Sequence, residues 1–213
     1  MFKQDYLPPP LAKSIFDIIG SLLIIVAVSP VLLFLAPFLL LERVFLPKSR
    51  GPLLYCEERI SAGKRFKFCK IRTCYQEAID RLREAEGFIH TVELEKERAN
   101  FTPLGWLIKQ IYLDELPQLG NVLKGEMSLV GPRPANLLNY EELLKRGIYN
   151  KKEIKAGLTG YFQSYKGKYQ KSDAEMDKEY IEFCRARSPA AILWFDLKII
   201  GRTILRVLEH KGL

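Results

Sequence analysis

Leu113-Asp114-Glu115-Leu116-Pro117-Gln118 places two adjacent carboxylates at the head of an apolar-periodic segment. Leu116, Leu119, Val122 and Leu123 recur at helical spacing and Gly125 closes the run, so a helix is expected here. A short apolar stretch, Met127–Val130, follows as a strand and ends in the turn Gly131-Pro132-Arg133-Pro134. Two readings share this pattern. In one, Asp114 caps the helix, Glu115 favours the positive end of its dipole, Pro117 sits harmlessly in the first turn and Arg133 is a surface charge. In the other, the acids supply a nucleophile or a metal ligand and the arginine clamps a phosphate, the mix of signs that phosphate chemistry needs.

Upstream, Leu53–Ile60 and Arg65–Arg72 read as two strands of a β-hairpin joined by Ser61-Ala62-Gly63-Lys64. The second strand alternates bulk with charge, and its cations, Lys70 and Arg72 among them, fit either a phosphate or a solvated face. Gln76–Ala99 reads as one or two exposed helices broken near Gly87, with His90 as a surface residue. Thr102-Pro103-Leu104-Gly105 is a turn into a short helix, Trp106–Tyr112, that delivers the chain to Asp114. Downstream, Asn136–Arg146 is an amphipathic helix, and Lys155–Gly160 is a loop of small residues entering a strand over Tyr161–Tyr165. Asp173–Ala186 is helical. A last helix, Ala190–Glu209, has apolar residues around much of its circumference and the cations Lys198, Arg202 and Arg206, which suits a helix packed in part on the domain and in part in the membrane interface.

The N-terminal part is of another kind. After a leader with Pro8-Pro9-Pro10, a helix begins at Lys13–Asp17, and Ile18–Leu41 carries no charge. At about 1.5 Å per residue such a run is long enough to cross a bilayer core, and too long for a cleaved signal peptide. Ser29-Pro30 lies near its centre. Cations flank both ends: Lys3 and Lys13 before, Arg43, Lys48 and Arg50 after. Positive charge on both sides favours a helix that enters, bends at Ser29-Pro30 and returns to the same face, over an ordinary kinked span.

Composition sets the outer bounds. There are 33 Lys and Arg against 25 Asp and Glu, a net charge of +8, which favours anionic partners. No nucleic-acid-binding motif is present. The four cysteines form no Cys-x-x-Cys pair and only two histidines exist, which argues against a zinc site; the thiols are expected to be reduced.

Taken together, these strings resemble the monotopic phosphoglycosyl transferases of the bacterial sugar transferase family. The resemblance rests on Lys13-Ser14-Ile15-Phe16-Asp17, Ser29-Pro30, Glu58-Arg59-Ile60 and Phe66–Thr73, and most of all on Leu113–Leu119 with Asn121–Pro134. Lys155–Gly160 with Gln163 adds a weaker match. It implies a re-entrant membrane helix hairpin broken at Ser29-Pro30 within residues 1–45. Residues 46–213 would then form a small α/β (α+β-like) catalytic domain with interfacial amphipathic helices, on the cytoplasmic face of the bacterial inner membrane. It implies an Mg²⁺-dependent, ping-pong transfer of a sugar-1-phosphate from a UDP-sugar to undecaprenyl phosphate, initiating lipid-linked glycan synthesis. Asp114 would be the nucleophile, Glu115 the catalytic partner that holds Mg²⁺, and Arg133, Lys109, Arg72 and Lys70 the ligands of substrate phosphate. Inner-leaflet phospholipids would be partners and a second copy of the chain an admissible one; nucleic acid would not. The chain departs from the family pattern at Lys109, where arginine is usual, at Tyr112, where a small hydroxyl residue is usual, and at Ala156, where proline is usual. Ser164-Tyr165-Lys166-Gly167 replaces a usual Asn-Gly-Arg. These departures motivate the competing expectation of a non-catalytic scaffold for glycan assembly.

Overall fold

The computed structural model describes residues 6–86, 94–165 and 170–209. The chain forms two compact units: Met1–Ile24 with Cys56–Phe68 and Gln118–Leu213, and Ile25–Tyr55 with Cys69–Pro117. The architecture mixes helices with two small sheets, as the sequence implies.

Helix α1, Leu11–Phe45, contributes its first turns to one unit and its remainder to the other. At 35 residues it is about 52 Å long against a hydrocarbon core of about 30 Å. Only 11% of its most apolar window is buried, which sets it apart from the core helix of a water-soluble domain. Its helical hydrogen bonding runs on through Ser29-Pro30. Pro30 has no N–H to give the carbonyl four residues back, Val26, and the Ser29 hydroxyl donates to that carbonyl instead at 2.9 Å.

In the first unit the opening turns of α1 are not a solvated flank. Lys13, Asp17 and Ser21 recur at helical spacing and all are buried. Gly20 lets this face approach closely, since a Cβ there would meet Leu129 Cδ1 at 2.6 Å. Strand β1 (Leu54–Ser61) turns into β2 (Lys64–Ile71) through Ala62 and Gly63, both at positive φ, the signature of a two-residue hairpin loop. In the sheet β2-β1-β4, Arg59 and Ile60 pair antiparallel with Asn136 and Ala135 of the short β4 (Ala135–Asn136). A second sheet pairs β3 (Ser128–Val130) in parallel with β5 (Gly157–Thr159).

Within the expected loop Lys155–Gly160, Gly157–Thr159 thus form a strand, and the expected strand Tyr161–Tyr165 is a helix. The cause is close backbone approach. A Cβ on Gly157 would lie 2.1 Å from the amide nitrogen of Gly131, and one on Gly160 2.3 Å from its carbonyl. Glycine, not β-branched bulk, lets this pair form.

Helix α8 (Asp173–Ala186) starts at a Ser172–Glu175 capping box, and α9 (Pro189–Leu208) at Ser188. On α9, Ile192, Asp196, Ile199 and Arg206 are buried while Trp194, Leu197, Ile204, Leu205 and Leu208 are exposed. Cys56 and Cys69, on the neighbouring strands β1 and β2, are disulfide-bonded, and Cys74 and Cys184 are free. The expectation of four reduced thiols is corrected for the first two, because strand pairing decides which cysteines meet and composition does not.

Candidate active site

The second unit holds the acidic pair. Helix α3, Pro103–Gln110, is set by Thr102, whose hydroxyl accepts the Gly105 N–H at 3.0 Å, and by Glu42, whose carboxylate accepts the Leu104 N–H at 2.8 Å. Gly105 is required, since a Cβ would lie 2.0 Å from the Thr73 carbonyl. The last turn of α3 presents Lys109. Tyr112 then adopts a left-handed conformation (φ 56°, ψ 21°) and turns the chain into a single 3₁₀ turn, Leu113–Glu115. The long helix expected from the apolar period is confined to Gln118–Leu123, and Asp114 stands in the turn before it.

Asp114 is 2% exposed. Its Oδ2 lies 3.3 Å from Lys109 Nζ and 3.9 Å from Lys70 Nζ. Its Oδ1 is buried with no hydrogen-bond partner among the described residues. Glu115 Oε1 accepts from Lys70 Nζ at 2.7 Å, and Lys109 Nζ is also 2.8 Å from Glu95. Burial pushes the Asp114 carboxyl above its ordinary value and Glu115 adds to this, while Lys109 and Lys70 oppose it. Burial would lower the Lys109 ammonium, but the charges of Asp114 and Glu95 outweigh it and hold the group above its ordinary value. A cavity of about 20 Å³, room for about one water, is lined by Lys70, Glu95 and Asp114 among others.

The structure thus brings together four of the sequence-predicted residues: Asp114, Glu115, Lys109 and Lys70. Arg72 is in the same unit, but its guanidinium donates to three backbone carbonyls: Pro52 at 2.7 Å, Cys74 at 2.7 Å and Ser49 at 2.6 Å. Arg133 belongs to the first unit. There the turn that carries it is fixed by bonds from Gly131 N to Thr159 O and from Gly157 N to Pro132 O, both 2.9 Å. Its side chain is exposed and makes no ion pair among the described residues. Sequence reasoning missed Glu95, which sits in a segment so rich in acids that none stands out. His90, Lys166 and Gly167 lie outside the described residues.

The donor set suits a hard divalent cation: carboxylate oxygens, one of them orphaned and buried beside a small cavity. Among the described residues no three His, Cys, Asp or Glu side chains converge. A cation here would take one or two carboxylates and complete its shell with water and phosphate oxygens, as Mg²⁺ prefers.

Residues 9–210 match the model of the bacterial sugar transferase family. The undecaprenyl-phosphate glucose phosphotransferase of Komagataeibacter xylinus is 35% identical over 92% of this chain and 36% of its own length. The undecaprenyl-phosphate galactose phosphotransferase of Salmonella typhimurium is 32% identical over 94% of this chain and 41% of its own. The uncharacterized sugar transferase EpsL of Bacillus subtilis is 31% identical over 94% of this chain and 89% of its own. The chain therefore spans well under half the length of the first two.

Proposed function

Because this chain belongs to the bacterial sugar transferase family, we propose that it is a membrane-bound phosphoglycosyl transferase. It moves a sugar-1-phosphate from a UDP-sugar to undecaprenyl phosphate and so initiates a lipid-linked glycan. The observation that carries this reading is Asp114: a buried carboxylate with one unpartnered oxygen, set between two lysines and beside a second acid.

A carboxylate oxygen of Asp114 attacks the phosphorus that bears the sugar. The bond from that phosphorus to the oxygen bridging it to UMP breaks, and UMP leaves with the electron pair. The sugar phosphate is now an acyl phosphate on Asp114, so one difficult transfer is divided in two. A phosphate oxygen of undecaprenyl phosphate then attacks the same phosphorus, the Asp114 carboxylate leaves, and a diphosphate-linked sugar lipid is released. Lys109 and Lys70 oppose the upward push of burial on the Asp114 carboxyl and offset the charge of the incoming phosphates. Glu115, with Asp114 beside it, would hold Mg²⁺, which would supply neutralisation of phosphate charge. Arg133 stands exposed on its fixed turn in the first unit, a cation open to an anion such as phosphate. Arg72, already committed to three carbonyls, fixes the backbone around Lys70.

We place α1 in the cytoplasmic membrane as a re-entrant helix with both ends on the cytoplasmic face. Two observations support this: the Ser29 bond to the carbonyl released by Pro30, and Arg43, Lys48 and Arg50 after the apolar run. The exposed apolar residues of α9 then lie in the interface. The panel of sugars is kept broad, since the two relatives are named for different sugars, glucose and galactose.

The test is UMP release by the purified chain in nanodiscs with Mg²⁺, undecaprenyl phosphate and a panel of UDP-sugars, beside Asp114→Asn. Release with one or two sugars, abolished by the substitution, is the expected result. A folded, inserted protein silent across the panel would favour the scaffold reading.

A further inference from the structure

A second cavity, of about 390 Å³, lies in the first unit and is used by none of the chemistry above. Its walls include Tyr6 from the leader, Lys64, Arg65 and Phe66 from the start of β2, Glu126, and Lys155 from the segment before β5. The volume falls in the range of ordinary ligand pockets. Its frame is rigid, because backbone bonds tie the hairpin loop to the chain before β5: Ala62 N to Ile154 O at 3.2 Å and Gly63 N to Lys151 O at 3.1 Å. The Ser61 hydroxyl accepts the Ala156 N–H at 2.9 Å and donates to Glu126 O at 2.5 Å. The leader is held by Leu7 N to Glu153 O at 2.7 Å.

The charges inside are unbalanced. Three cations face one carboxylate, and Glu126 already accepts from Asn121 Nδ2 at 2.7 Å. Arg65 has a loose, largely exposed contact to Glu58 at 3.6 Å, which is worth little. The ammonium groups of Lys64 and Lys155 have no hydrogen bond or ion pair among the described residues. Lys155 is half-buried, and burial holds it below its ordinary value, with Asp17 opposing the shift and Lys13 adding to it. The pocket therefore carries a surplus of positive charge that suits an anion.

We propose that this cavity is a phosphate-binding site, in which Lys64, Arg65 and Lys155 hold the phosphate of an organic phosphate and Tyr6 and Phe66 flank its organic part. Two sources supply that chemistry. One is a soluble phosphate. The other is the headgroup of an anionic phospholipid, which rests on the placement of α1 in the membrane. Tyr6 precedes Leu11, the first residue of α1, by five residues, at most about 18 Å of extended chain.

The experiment uses the full chain in non-ionic detergent. Inorganic phosphate is titrated while thermal unfolding is followed, since a ligand of the folded state raises Tm with concentration. In parallel, native mass spectrometry counts lipids retained from micelles doped with phosphatidylglycerol or phosphatidylcholine. Lys64→Gln, Lys155→Gln and the double substitution are compared with the Asp114→Asn chain, which leaves this cavity intact. Loss of charge-assisted bonds is expected to weaken binding by about tenfold or more in the double variant, with Asp114→Asn unaffected. Retention of phosphatidylglycerol alone assigns the headgroup, and a Tm rise with phosphate assigns a soluble ligand. Binding that the double variant keeps at full strength, or that neither probe shows, overturns the proposal. Lys64 is exposed, so Lys64→Gln alone preserves the test if substitution of Lys155 disturbs folding.

Discussion

Two buried charge clusters, one in each unit, are built from the same residue types and left in different states. In the first unit Lys13 Nζ reaches Asp196 Oδ2 at 2.6 Å and Asp17 Oδ1 at 3.6 Å. Asp17 Oδ2 accepts from the Ser128 hydroxyl at 2.7 Å, its Oδ1 from Leu129 N at 3.2 Å, and Asp196 Oδ1 from the Tyr180 hydroxyl at 2.8 Å. Every carboxylate oxygen there has a partner. In the second unit Asp114 is as deeply buried, yet one oxygen has none among the described residues. A closed network fixes structure. An open one keeps an acceptor for something that arrives later.

The largest effect should separate the two outright. Asp114→Asn is expected to reduce UMP release by at least about a thousandfold while the fold survives. The sign of its stability effect follows from linkage. The Asp114 carboxyl titrates above its unfolded value, so its contribution to stability is present at low pH and is lost as pH rises through the folded value. Asparagine cannot ionise. The variant should therefore melt no lower than the parent at neutral pH, and the difference should shrink toward pH 4. A variant that is inactive because it unfolds would break the contrast.

Lys13→Met should do the reverse. It leaves Asp196, 0% exposed, without its cation, and removing one member of a buried pair costs about 3–5 kcal/mol. Thermal unfolding reads that loss, and Lys13→Met with Asp196→Leu should recover part of it. UMP release per folded molecule should stay close to the parent value. A specific loss of turnover without loss of stability would show that the closed cluster does more than hold the first turns of α1.

The difference between the clusters also explains what the sequence discloses. The acidic pair, the Gly-Pro-Arg-Pro turn, the hairpin and helices α8 and α9 are legible because each is signalled by neighbours in the chain. Lys13 is not. It reads as a flanking positive charge of an apolar helix, and it is a buried partner of a residue 183 positions away. The available hint was that Lys13 and Asp17 share a helix face with apolar neighbours and that Asp196 is the lone acid of an apolar helix. Arg72 is similar: alternation along β2 shows a cation, but only the folded chain shows three carbonyls around it. Tyr161–Tyr165 misled because aromatic bulk favours strands, whereas the chain approaches Gly131 closely at Gly157 and Gly160, where a Cβ would not fit.

A finer probe of the open cluster is Lys109→Gln. Lys109 is the strongest of the charges that hold Asp114 down against its burial. Without it the carboxyl should titrate higher, moving the acid limb of the pH–rate profile to higher pH. Activity at the alkaline plateau should fall less than activity near the limb. Lys109→Arg should keep the limb in place, since the charge remains. An unmoved limb in Lys109→Gln would mean that Asp114 is held ionised by Lys70 alone.

The smallest effect concerns the entry to the open cluster. Tyr112 holds φ 56° immediately before Leu113, a region that costs a non-glycine side chain roughly 1 kcal/mol and that asparagine tolerates better. Tyr112→Asn should therefore recover up to about 1 kcal/mol of backbone strain, less whatever the half-buried ring contributes by packing. If the left-handed turn is needed only to aim Asp114, the variant should keep its UMP release, with a Tm equal to or above that of the parent. If Tyr112 itself is needed, turnover should drop while Tm rises. The first pattern would place the left-handed turn in the service of the acidic pair and the second the tyrosine ring, whereas no residue of the closed cluster is held at positive φ.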